Sequence, residues 1–262
     1  MQALHTAASG MRAQEENVQT VANNIANIRT TGFKKQRAEF QDLLYTDTRR
    51  VGSTSSSSGT VVPTGIQIGS GVKFAATSRV LTQGSLEQTE QPLNVAVRGE
   101  GYFEIQLPDG RTAYTRDGSF ERNQDGEIVT LDGYTVGGGI TIPQDAISIT
   151  ISNDGEVEVV EGTNAAPSNV GTIELANFIN PGGLEAIGDN LFVETAASGS
   201  PQTGNPGDEG LGTVLQGFLE GSNVEAVAEI SDLITAQRAY ELNSRVISAA
   251  DEMMQSAGQI SR

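Results

Sequence analysis

Residues 22–35 read ANNIANIRTTGFKK and close a helical pattern that begins at the first residues of the chain. Upstream of them Leu4, Met11, Val18 and Ile25 recur every seven residues, and Ala7, Val21 and Ile28 fill the interleaved positions, with only Gln14 polar. That spacing is a coiled-coil seam of about four heptads. It predicts one helix over residues 1–30, stopped at Thr31 and Gly32, since glycine suits the left-handed residue that ends a helix. Asn23, Asn24 and Asn27 sit in the last heptad, although asparagine costs roughly 0.5–0.7 kcal/mol against alanine inside a helix. Two readings are open. The asparagines fray the helix toward its stop, or Ala22 and Ala26 allow close approach while the amides hydrogen-bond to neighbouring chains and fix register.

A counterpart lies at the other end. Over residues 224–260, Leu233, Tyr240, Ile247 and Met254 form one stripe at seven-residue spacing, and Ala239, Val246, Met253 and Ile260 form a second. Two adjacent stripes give a wide apolar face, able to touch more than one helix.

Between the helices the pattern changes from a period near 3.6 to a period of 2. Runs such as YFEIQL (102–107), ISITI (147–151) and EVEVV (156–160) alternate, and Asp-Gly pairs stand at 109–110, 125–126, 132–133 and 154–155. Asp-Gly between alternating runs signals a β-hairpin. The expected fold is therefore α+β, with N- and C-terminal helices pairing as a coiled-coil-like layer around a central antiparallel β domain. The expected segments are 1–45, a helix with its following segment; 46–71, a Ser/Gly-rich extended stretch; 72–220, the β domain; and 221–262, the second helix, packing with 1–45. Within 46–71 the second half carries Val61, Val62, Ile66 and Ile68, too apolar for a simple tether.

The 262 residues carry a formal charge of −17, unevenly spread. Residues 51–220 hold six Lys/Arg against 22 Asp/Glu, whereas residues 1–50 hold seven against five. So acidic a chain argues against nucleic acid or anionic lipid as a partner, both of which need basic patches. The local basic run Lys34, Lys35 and Arg37 reads either as a solvated face or as a match for a neighbour's carboxylates. With no cysteine, disulfides and thiolate metal ligands are excluded. No apolar run approaches the roughly 18 residues a membrane span needs.

Catalytic motifs are weak. Glu121, Asn123, Asp125, Gly126 and Asp132 approximate a calcium-loop spacing, but the flanks alternate like strands rather than helices. Ser70 and Lys73 match a serine–lysine spacing inside a Gly/Ser-rich stretch without a Lys-Thr-Gly partner. His5 is the only histidine, which excludes a multi-histidine metal site. No cofactor and no metal are expected, and no catalytic residue is assigned. Carboxylates are abundant enough to leave a cell-wall hydrolase open as a rival, together with a secreted β-domain adhesin.

The stretch 22–35 resembles the amino-terminal signature of the bacterial flagellar basal-body rod and hook family. SNV (222–224) through QRAYELN (237–243) resembles its carboxy-terminal partner. GSL (84–86), NVAVRGEGYF (94–103), YTRDGSF (114–120) and GEIVT (126–130) resemble the family's central segment. Within the family the length and the 52–71 stretch resemble its distal-rod members, with proximal-rod and hook members as alternatives. The resemblance implies a structural subunit rather than an enzyme, exported without a cleaved signal peptide to the periplasm-spanning rod. It implies a helical homopolymer, with proximal rod proteins, hook protein, surrounding basal-body ring proteins and the flagellar export apparatus as partners. The expected subunit interface comprises Leu4, Met11, Val18, Val21, Asn23, Asn24, Ile25, Asn27 and Ile28 from the first helix region, with Leu233, Arg238, Tyr240, Ile247 and Met254 from the second.

Overall fold

The computed structural model describes residues 2–49, 64–162 and 166–260; most of the Ser-rich part of the 46–71 stretch, including Val61 and Val62, lies outside them. The chain divides into two compact units. One contains helices α1 (Gln2–Ala26) and α2 (Ala226–Ile260) and strands β1 (Gln36–Asp42), β2 (Tyr45–Arg49), β3 (Ile66–Gly69) and β4 (Val72–Arg79). The other joins Asn27–Lys35 to Arg79–Val224.

In the first unit α1 and α2 pack against each other along their lengths, as the matched heptads predict. Strand β1 pairs with β4, where Phe40 and Phe74 meet edge to face at 6.0 Å, and β2 pairs with β3 in an antiparallel ladder running from Tyr45–Gly69 to Arg49–Ile66. The ends of the 46–71 stretch are thus zipped to each other. Leu44, Tyr45, Ile66 and Ile68 on this ribbon are exposed.

Helix α1 ends at Ala26, short of the expected residue 30. The reason is competition from side-chain bonding: the Thr30 amide donates to the Asn27 carbonyl and the Thr30 hydroxyl to Asn27 Oδ1, closing a turn that replaces the helical pattern. Gly32 then serves a different purpose from capping. Its φ is 68°, and a Cβ there would stand 2.8 Å from the Arg116 carbonyl carbon and the Asp117 nitrogen. Only glycine lets the two backbones come so close.

The second unit is antiparallel throughout. Tyr102–Gln106 is its central strand, pairing with Thr112–Thr115, Thr135–Val136 and Leu175–Asn177. The four Asp-Gly pairs all sit in hairpin turns, and Gly110, Gly126, Gly133 and Gly155 all have φ between 81° and 89°. The 121–132 segment therefore makes two successive hairpins, with Asn123 Oδ1 accepting from the Asp125 and Glu127 amides. Alternation builds two clusters. Phe103, Ile105, Val157 and Val159 point into the main core with Phe120, Ile128 and Leu175. Tyr102, Tyr114 and Phe178 form a second, aromatic cluster in edge-to-face pairs, and the Arg79 guanidinium lies 4.5 Å from the Phe192 ring.

Burial in this cluster pushes the Tyr114 phenol up to about 12, with the Glu104 and Glu194 carboxylates adding to the effect. A phenol that ionises later folded than unfolded stabilises the fold fully below its ordinary value near 10, and that contribution is lost as the pH rises toward 12. Urea unfolding should thus shift to lower denaturant between pH 10 and 11.5, and Tyr114→Phe should shift less; equal shifts would remove Tyr114 as the cause.

Candidate assembly interface

Two contacts fix the register of the helix pair. A Cβ on Gly10 would come 2.9 Å from Asn243 Nδ2, and Asn24 Nδ2 donates to Glu229 Oε2 at 3.0 Å. Going from Gly10 to Asn24 along α1 matches going back from Asn243 to Glu229 along α2, so the helices run antiparallel with one continuous register. On α2 this places Glu229, Ala236, Asn243 and Ala250 along the seam at seven-residue spacing, of which Glu229, Ala236 and Ala250 are buried. On α1 the buried positions are Ala7, Ala13, Thr20, Val21 and Asn24. Alanine supplies four of these eight buried positions, Ala7, Ala13, Ala236 and Ala250.

Of the residues expected at the interface, Val21 and Asn24 are buried, and Leu4, Met11, Val18, Ile25, Leu233 and Ile247 are half-buried. Asn23, Arg238, Tyr240 and Met254 are exposed, while Asn27 and Ile28 are half-buried in the second unit. The pattern reading missed Gly10, Glu229 and Asn243 because it sought apolar residues. A search for any side chain repeating at seven from Ala236 would have found Glu229 and Asn243.

The Asn24 amide does what neither open reading described. Its Nδ2 donates to the Gln36 carbonyl at 2.8 Å while the Gln36 amide donates to Oδ1 at 2.9 Å, so the side chain imitates a strand partner for Gln36. The same Nδ2 reaches the buried Glu229 carboxylate. These bonds lie within one chain. Asn24→Ala should then destabilise the helix pair by about 2–3 kcal/mol, since the Gln36 amide and carbonyl and the buried Glu229 carboxylate each lose a hydrogen bond and the roughly 0.5–0.7 kcal/mol gain in helix propensity does not compensate. Urea unfolding followed at 222 nm checks this; unchanged stability would mean the bonds carry nothing.

The rest of the signature, Asn27–Lys35, belongs to the second unit and is held there by charge. Lys34 Nζ donates to Glu220 Oε1 and to the Thr82 carbonyl, and Glu220 also accepts from the Gly84 amide and from Arg116 Nη1. The side chains of Lys34 and Glu220 are 2% and 0% exposed, which makes this a fully desolvated pair. Burial pulls the Lys34 ammonium below its ordinary pKa, and the hydrogen bond and charge of Glu220 hold it partway back up. The basic run is therefore split. Lys34 serves its own fold, and Arg37 pairs with Glu39 at the surface. Asn223 completes the arrangement, accepting from the Lys35 amide and donating to the Val80 and Thr82 carbonyls.

Among the described residues no group of acidic or histidine side chains has the geometry to hold a metal, and no helix is long and apolar enough to cross a membrane.

Three family profiles match along the chain: flagella basal body rod protein over residues 4–34, the flagellar hook protein FlgE/F/G D1 domain over 96–159, and the flagellar basal body rod FlgEFG protein C-terminal region over 215–260. The outer two fall on α1 with its signature and on α2; the middle one falls on the β unit. The chain is 58% identical over 260 residues to the flagellar basal-body rod protein FlgG of Caulobacter vibrioides, covering 99% of each. It is 51% identical to the protein of that name from Agrobacterium fabrum, over 97% of each chain, and 50% identical to that of Borreliella burgdorferi, over 100% of this chain and 99% of the other. Likeness at this level from one end to the other, on a fold whose two termini pair, makes the chain a member of the flagellar basal-body rod protein FlgG family.

Proposed function

We propose that this protein is a structural subunit of the flagellar distal rod, polymerising through its terminal helices into a rigid hollow shaft that carries torque from motor to hook. The observation that carries this reading is the state of α2. One face is closed against α1, yet Val227, Ile230, Ile234, Leu242, Val246 and Met253 stay between 44% and 76% exposed. Apolar surface on that scale marks a contact not yet made. In a polymer the contact is another copy. Head-to-tail pairing whose rotation does not close gives a helical filament. The chain acts as scaffold rather than enzyme, and meets proximal rod proteins, hook protein, ring proteins and the export apparatus.

Negative-stain electron microscopy of the purified protein at rising concentration tests this. Straight filaments are expected. Val18→Asp should abolish them, because desolvating an unpaired carboxylate at a helix contact costs several kcal/mol per subunit. Globular particles at every concentration, or filaments from Val18→Asp as from the wild type, would sink the reading.

A further inference from the structure

The chain passes between its two units at four places: after Ala26, after Lys35, after Ser78 and after Val224. On the side of the β unit, three of these links start from residues that share one side chain. The Lys35 amide donates to Asn223 Oδ1 at 2.7 Å, and Asn223 Nδ2 donates to the Val80 carbonyl at 2.9 Å and the Thr82 carbonyl at 3.0 Å. The backbones close the ring: the Val80 amide donates to the Lys35 carbonyl at 2.9 Å, and the Asn223 amide to the Phe33 carbonyl at 3.4 Å. Each of the three segments is thus bonded to the other two.

The chemistry needs an amide. One oxygen accepts from a backbone N–H while one nitrogen donates to two carbonyls, which a carboxylate, with no donor, and a hydroxyl, with a single one, do not supply. Asn223 is the middle residue of SNV (222–224), is half-buried, and belongs to neither hydrophobic cluster of the β unit. The remaining link is tied within the helical unit, where Asn24 bonds both backbone groups of Gln36 across the 27–35 excursion. Two asparagines therefore bind all four links together.

We propose that Asn223 is a latch that holds three of the links as one body, so that load reaching the β unit is divided among them. Without it each segment is held by fewer bonds and peels away by itself; with it the ring breaks as a whole. The latch is a property of the single subunit. Its use, sharing the torque that the helices deliver, rests on the assembly reading above.

Amide exchange of the dilute full-length protein, read residue by residue by NMR, tests the latch. In Asn223→Ala the backbone amides at 80 and 223 should lose about tenfold in protection, the equivalent of one net hydrogen bond lost to local opening. Neither of these amides bonds to the Asn223 side chain, so loss of protection at Lys35 alone would overturn the proposal. The core amides of Ile105 and Val157 should keep their wild-type protection; an equal loss there would make Asn223 a general stabiliser and also overturn it. Asn223→Ser, whose hydroxyl reaches one segment and not both, gives the same comparison in a milder form if the alanine variant does not fold. In cells carrying Asn223→Ala, swimming should match wild type in dilute medium and fall below it in viscous medium, where the torque is greater. Wild-type swimming in both media, or equal loss in both, would overturn the load-bearing use. If the wild-type protein forms no filament, the assembly reading falls, while the exchange result still decides the latch.

Discussion

Glu220→Ala is expected to cost the β unit about 3–5 kcal/mol, because it strips the common partner from two buried cations, Lys34 and Arg116, and leaves both in a site that water does not reach. By the usual scaling for a chain of this size that is a fall in melting temperature of roughly 6–20 °C. The pH dependence separates this cause from a loss of packing. Without Glu220 only the Thr82 carbonyl is left against the desolvation of Lys34, so its folded pKa drops further below the unfolded 10.5. The unfolded chain then binds more protons than the folded one across that window, and stability rises with pH. The deficit of Glu220→Ala relative to wild type should accordingly shrink from pH 7 to pH 9.5. A deficit constant over that range, or under about 1 kcal/mol throughout, would show that the charges are not coupled.

Gly118→Ala should be worse, with a loss above about 4 kcal/mol and soluble expression in doubt by that measure alone. Its φ is unremarkable, so backbone strain is not the reason. Instead a Cβ at 118 would lie 1.6 Å from the Val95 carbonyl oxygen and 3.2 Å from the Phe103 ring. That carbonyl is backbone in the core, flanked by Val95 at 1% and Phe103 at 0% exposure, and cannot move aside. The Val95 amide also donates to the Gly118 carbonyl, so separating the strands breaks a hydrogen bond as well. Gly110→Ala is the control: its Cβ would meet nothing within 4 Å, and its φ of 82° makes it strained but unobstructed. Comparable losses for the two would remove the close approach as the explanation.

These two positions show what could and could not be seen in the sequence. The hairpins were legible because Asp-Gly turns are local: the dihedrals that glycine permits decide them without regard to the rest of the chain. The paired helices were legible for a similar reason, a period repeated often enough to exceed chance. Gly118 looks like one more turn glycine, in Asp117–Gly118, and its function depends on Val95, 23 residues away. Lys34 looks like one residue of a basic run, and its partner is 186 residues distant. Asn24 was conspicuous as a helix-weakening residue, but that it imitates a strand partner for Gln36 depends on where the chain returns after 27–35. The seam of α2 was misread because Glu229 and Asn243 are polar, and burial of a polar group becomes intelligible only when its hydrogen-bond partner is known.

The same long link between Lys34 and Glu220 also sets a clock on biosynthesis. Residues 27–35 leave the ribosome early, yet the carboxylate that compensates Lys34 is made 186 residues later. At translation rates of 5–20 residues per second that is an interval of about 10–40 s, during which the β unit lacks its closing strand Phe218–Glu220 and the ammonium has no reason to leave water. The Lys34 site therefore closes only when the chain is almost complete.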